Sequence, residues 1–111
     1  MRLRGAMNPR IAQFQALVER QPDNELFRFS LAQSLAADGR GPEAVPHYEF
    51  CVAKKADWMM PRILLGKLLV ELGRRDEARR WFESALALAV EQQHEEPEQE
   101  LRALLAELNG R

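Results

Sequence analysis

One cysteine in 111 residues, Cys51, rules out an internal disulfide and fits a reducing compartment. The chain also lacks any long hydrophobic run. Its most apolar stretch, Trp58 to Leu72, is interrupted by Pro61, Arg62 and Lys67, too short and too broken to span a bilayer. The opening residues Met1 to Met7 carry two arginines but no apolar h-region, so they do not read as a secretory signal. Net charge is close to zero, with 16 basic against 17 acidic side chains, and gives no electrostatic argument for a polyanion partner. A soluble cytoplasmic protein with no membrane partner is the expectation. Arginine outnumbers lysine 13 to 3, as expected of a GC-rich bacterial genome.

Catalytic patterns are missing as well. There is no G-x-G-x-x-G, P-loop, G-x-S-x-G or H-E-x-x-H. His47 and His94 have no second ligand at metal-binding spacing and are expected to face solvent. Cys51 falls on a helix-packing face, where a thiol is buried and inert. Ser30, Ser34 and Ser84 have no base nearby in sequence. The expectation is a non-enzyme with no cofactor and no metal.

What is present is a repeat. Residues 25–58 align without a gap on 59–92, and nine of the 34 positions are identical: Arg28/Arg62, Leu31/Leu65, Leu35/Leu69, Gly39/Gly73, Arg40/Arg74, Glu43/Glu77, Ala44/Ala78, Glu49/Glu83 and Ala53/Ala87. Similar pairs join them: Ala32/Gly66, Tyr48/Phe82, Cys51/Ala85 and Val52/Leu86. The period runs backwards for half a unit, placing Phe14, Leu17, Val18 and Asp23 over Tyr48, Cys51, Val52 and Asp57.

Within each unit two apolar-periodic stretches flank a Gly-Arg turn. The pattern predicts helices over Leu26–Asp38 and Pro42–Lys55, then Pro61–Leu72 and Glu77–Gln92. Gly39 and Gly73 sit where a helix ends in a left-handed residue. Pro42 suits the first helical position and Asp76 an N-cap, whereas Pro46 should delete one backbone hydrogen bond. An opening helix is expected over Pro9–Arg20. A closing one is expected over Pro97–Asn109, its stripe being Leu101, Leu104, Leu105 and Leu108 and its acidic start Glu96, Glu98 and Glu100.

Leu65-Gly66, Leu69, Gly73, Ala78, Phe82 and Ala85, with Leu31-Ala32, Leu35, Gly39, Ala44, Tyr48 and Cys51 one period earlier, resemble the tetratricopeptide repeat, whose period is about 34 residues. Arg28 and Arg62 depart from it, standing where an aromatic is common. Ala56 and Val90 replace the usual closing proline. The resemblance implies an all-α helical-repeat right-handed superhelix of about six antiparallel helices. The expected organisation is a disordered tail over 1–7 and one domain over 8–111: a half repeat (8–24), two repeats (25–58 and 59–92) and a capping helix (93–111).

The resemblance further implies a partner-binding groove lined by the first helix of each unit. Helical geometry picks the face pointing away from Arg28, Leu31, Ala32 and Leu35. On it lie Leu26, Phe29, Ser30, Gln33, Ala36 and Ala37, and in the second unit Met60, Ile63, Leu64, Lys67, Val70 and Glu71. Phe29, Met60, Ile63 and Leu64 are expected to form one apolar patch, which calls for a cover: a protein or peptide partner, a second copy of the chain, or the N-terminal tail with Leu3 and Met7. Lys67 is the only cation expected there. Some relatives grip chaperone C-termini through a lysine and asparagine clamp. The matching positions here hold Phe29, Gln33 and Leu64, so that activity is not implied.

The functional expectation is a module binding an apolar peptide or partner helix, with a homodimeric structural module as the alternative. A nucleic-acid accessory role rests only on the run Arg74 to Trp81. Asp76 and Glu77 offset its charge, and a solvated helix face without a nucleic-acid partner is expected instead.

Overall fold

The computed structural model describes residues 8–110. Six helices account for nearly all of them: α1 (Pro9–Arg20), α2 (Glu25–Ala37), α3 (Gly41–Lys54), α4 (Met59–Glu71), α5 (Arg75–Glu91) and α6 (Glu95–Asn109). The described residues are all-α, as the periodicity requires. They gather into two compact units, the first ending at Lys55 and the second beginning at Ala56. The tail expected over residues 1–7 lies outside the described residues.

Four of the helix starts are held by two different devices. Asn8 accepts from the Arg10 and Ile11 backbone N–H groups at 2.9 and 3.3 Å, and Asn24 accepts from those of Leu26 and Phe27 at 3.0 and 3.1 Å. Each satisfies donors that no carbonyl inside the helix can reach. At α3 and α5 a bidentate ion pair replaces the cap. The Arg40 guanidinium donates to both Glu43 oxygens at 2.9 and 2.7 Å, and Arg74 donates to both oxygens of Glu77 at 2.6 and 3.0 Å. With these pairs in place, the expected first residue of α3 and the expected cap of α5 both lie further inside their helices. Pro42 is the second residue of α3, and Asp76 is the second of α5, where it accepts from Arg79 at 2.9 Å.

Helix ends follow one geometry three times. Gly39 and Gly73 take φ of 78° and 77°. The Arg40 N–H then reaches Leu35 O at 2.9 Å and the Arg74 N–H reaches Leu69 O at 2.8 Å. This closing pattern satisfies the last carbonyls of α2 and α4. The end of α5 repeats it without glycine. Gln93 holds φ at 58° while the His94 N–H bonds Ala89 O at 3.0 Å.

In the first unit Leu31, Ala32 and Leu35 of α2 are buried with Ala44, Tyr48 and Cys51 of α3, and α1 contributes Ile11 and Val18. In the second, Leu65, Gly66 and Leu69 of α4 are buried with Ala78, Phe82 and Ala85 of α5. Each fully buried leucine contributes at most about 1.5–3 kcal/mol. Leu101 and Leu108 bury α6 against this unit, while Leu104 and Leu105 are only half-buried. Pro46 leaves α3 unbroken, because the Pro42 carbonyl it orphans belongs to an exposed residue.

Candidate functional site

The recurring arginines fix the starts of the first helices. Arg28 Nε donates to Pro22 O at 2.9 Å, and Arg62 donates through a terminal nitrogen to Ala56 O at 2.6 Å. Both bonds span six residues and tie the start of a first helix to the loop before it. The Arg28 guanidinium also lies 4.3 Å from the Phe50 ring centroid, and that of Arg62 reaches Ser84 Oγ. At Arg28 the guanidinium thus stacks and bonds at once, where an aromatic is usual. Glu49/Glu83 and Ala53/Ala87 are exposed, and no packing reason accounts for their recurrence.

With Arg28 turned inward, α2 presents Leu26, Ser30 and Gln33 on its opposite side. Leu26 is 60% exposed and Gln33 is exposed, with Ser30 half-buried. Phe29 differs from expectation. Its ring meets Tyr48 of α3 edge-on, with centroids 6.0 Å apart, and so packs on its own pair helix. The reason is angular: at 3.6 residues per turn Phe29 stands only about 60° from Ala32, and its ring is long enough to reach round. Gln33 borders a shallow polar pocket with Asn8, Arg10, Ser34 and Ala37.

On α4 the same geometry leaves Met60 48% exposed, Glu71 exposed and Leu64 half-buried. Ile63 does not belong to an exposed patch, since it is buried at 6% exposure, and it stands at the same angle from Gly66 as Phe29 does from Ala32. Lys67 is paired with Glu100 of α6 at 2.8 Å. The C-terminal half of the α4 face is therefore partly covered from within the second unit by α6. The possible covering tail residues Leu3 and Met7 lie outside the described residues.

Beyond Lys67, α4, α5 and α6 line a half-open pocket of about 150 Å³ bordered by Val70, Arg75, Phe82, Leu104, Glu107 and Leu108. Phe82 is fully buried and Val70 is 37% exposed. Arg75 donates to Leu108 O at 2.8 Å and Arg79 Nε to Asn109 Oδ1 at 2.9 Å. Two arginines of the basic run thus grip the negative end of α6, as the helix dipole favours. Sequence reasoning missed this site because the lining residues come from three helices.

Cys51 is fully buried and donates to Glu25 O at 3.4 Å, and burial pushes its thiol up to about 11. His47, expected to face solvent, is half-buried with Nδ1 3.4 Å from an Arg28 guanidinium nitrogen. Burial first, then that guanidinium, lowers its pKa. Among the described residues no cluster of His, Cys, Asp and Glu could hold a metal, and no helix is long and apolar enough to cross a membrane.

Residues 26–49 and 59–84 match the tetratricopeptide repeat, one match in each unit. DnaJ homolog subfamily C member 3 of Mus musculus is 32% identical over 98 residues, 87% of this chain and 19% of that protein. The chain thus spans about a fifth of that relative's length. Among solved structures, PcrH in complex with the chaperone-binding region of PopD superposes with a TM-score of 0.83 at 23% identity, over 90% of this chain and 76% of PcrH. The type III secretion translocator chaperone SycD of Yersinia enterocolitica gives 0.82 at 18% identity, over 89% and 69%. At these identities the likeness is one of fold. With the 34-residue period, the two left-handed glycine stops and the two matched repeats in place, the chain belongs to the tetratricopeptide-repeat family.

Proposed function

We propose that this chain is a non-enzymatic protein-interaction module that holds an apolar peptide segment or helix of another protein on the outward faces of its first helices. One observation carries the reading. Leu26 and Met60, one period apart at the start of α2 and α4, are 60% and 48% exposed. A large apolar side chain left in water at the same position of both repeats serves no packing need of either unit, whereas a bound apolar segment would cover it. Leu26, Phe29, Ser30 and Gln33 form the contact set on α2, and Met60, Ile63, Leu64, Lys67 and Glu71 that on α4. In them the half-buried Phe29 and the buried Ile63 act as supports. The fold likeness to PcrH, solved with a region of PopD, and to the chaperone SycD supports a protein partner.

The test is photo-crosslinking in the source cells from a benzophenone residue placed at 26 or 60, with 49 and 83 on the second helices as controls. Adducts with another protein from 26 and 60 but not from the controls are expected. Leu26→Ser with Met60→Ser should abolish binding without lowering the melting temperature by more than a few degrees. Equal adducts from all four positions, or none from 26 and 60, would refute the assignment. An adduct of twice the chain's mass would instead make the face a homodimer interface.

A further inference from the structure

We propose that the half-open pocket lined by α4, α5 and α6 is an anchor site that receives one leucine- to phenylalanine-sized side chain of a bound peptide. The inference rests on the protein-binding reading above and deepens it.

Size and lining select the guest. The cavity measures about 150 Å³, and its walls are Val70, Phe82, Leu104 and Leu108. A volume of this size admits a benzene-sized group. Phe82 is fully buried and makes a fixed surface, while Val70 is 37% exposed, so the cavity opens outward beside it. Val70 stands about one helical turn from Lys67 on α4, on the side expected to face outward.

The polar part of the lining selects a peptide over a free hydrocarbon or a nucleic acid. Arg75 on α5 and Glu107 on α6 carry opposite charges within one cavity. A peptide main chain offers a carbonyl to the guanidinium and an N–H to the carboxylate, on either side of the side chain it inserts. A phosphate backbone would meet Glu107 unfavourably, and a hydrocarbon would use neither group. Arg75 is held in place by its bond to Leu108 O, so its direction is set before a ligand arrives.

The experiment is a methyl-NMR titration of the full chain, following Val70, Leu104 and Leu108. The probes are N-acetyl-L-leucinamide, N-acetyl-L-alaninamide and isoamyl alcohol. Leucinamide should give saturable shifts at all three residues and bind about tenfold or more tighter than alaninamide, the discrimination expected of an apolar pocket. Isoamyl alcohol, which has the side chain without the amide, should bind measurably weaker than leucinamide. Val70→Phe fills the mouth and should abolish the shifts. Leu104→Phe fills the cavity from the other wall and serves if the first variant fails to fold. Absence of saturation at tens of millimolar, or equal binding of the alanine analogue, overturns the pocket, and equal binding of isoamyl alcohol overturns the peptide assignment. Each failure leaves the crosslinks from positions 26 and 60 untouched, so the two readings fall separately.

Discussion

Replacing Gly66 by alanine sets two effects against each other, and the structure decides which wins. In an exposed helix interior the change is favourable by about 1 kcal/mol, since alanine is the best helix former and glycine among the worst. Gly66 is buried in the middle of α4. A Cβ built there falls 2.6 Å from Phe82 Cδ1 and nearer still to Cε1. Phe82 is fully buried and cannot swing into solvent. Overpacking of this kind costs roughly 1–3 kcal/mol, so Gly66→Ala should be destabilising by up to about 2 kcal/mol net. For a chain of this length that corresponds to a melting temperature lower by several degrees. Urea unfolding followed by tryptophan fluorescence is the apt assay, because Trp58 and Trp81 both lie in the second unit with Gly66. Combining it with Phe82→Leu should recover part of the loss, giving a coupling of about 1 kcal/mol in a double-mutant cycle. A rise in stability for Gly66→Ala alone would show that helix propensity governs this position and that the close approach is not a constraint.

Three further outcomes are expected. Gln93→Gly should stabilise by about 0.5–1 kcal/mol, because Gln93 holds a left-handed conformation that glycine adopts freely, whereas Gly73→Val should destabilise; thermal melts of both variants check this. Cys51 should resist Ellman's reagent in the native protein and react at one equivalent in denaturant, since its rise from an ordinary 9.0 to about 11 cuts the thiolate fraction near neutral pH about a hundredfold. His47 has a folded pKa depressed below its ordinary 6.5, so its contribution to stability is present in full above that pH and is lost as pH falls through the folded value. Denaturation midpoints of wild type and His47→Gln, read by circular dichroism on both sides of that window, should converge on the acid side.

Apart from Glu49/Glu83 and Ala53/Ala87, the recurring pairs were legible because each does a local job. Gly39 and Gly73 end helices, Arg40 and Arg74 clasp a glutamate three residues on, and Ala44 and Ala78 let paired helices approach. Such jobs depend on neighbours in sequence and on helical period, which a single chain displays directly. Helix order, helix number and the inward side of each helix followed from these. Only α1 begins where the pattern placed it; the other five helices begin one or two residues earlier, α3 and α5 because a bidentate Arg–Glu pair can open a helix where an N-cap was sought. The left-handed Gln93 escaped notice, since nothing in a glutamine announces that conformation.

The period thus determined by itself the all-α repeat, its turns and the two faces of each first helix. Tertiary structure alone decided how much of those faces stays open. Phe29 and Ile63, both assigned to the outward side, stand at the angular edge of it, and side-chain reach rather than periodicity turned Phe29 onto Tyr48. Lys67 looked like a lone cation until α6, 33 residues further along the chain, brought Glu100 within 2.8 Å. The cavity beside it needs Val70, Phe82 and Leu108 from three helices at once. Periodicity assigns a residue to a side of its own helix, but only packing determines which other helix arrives there.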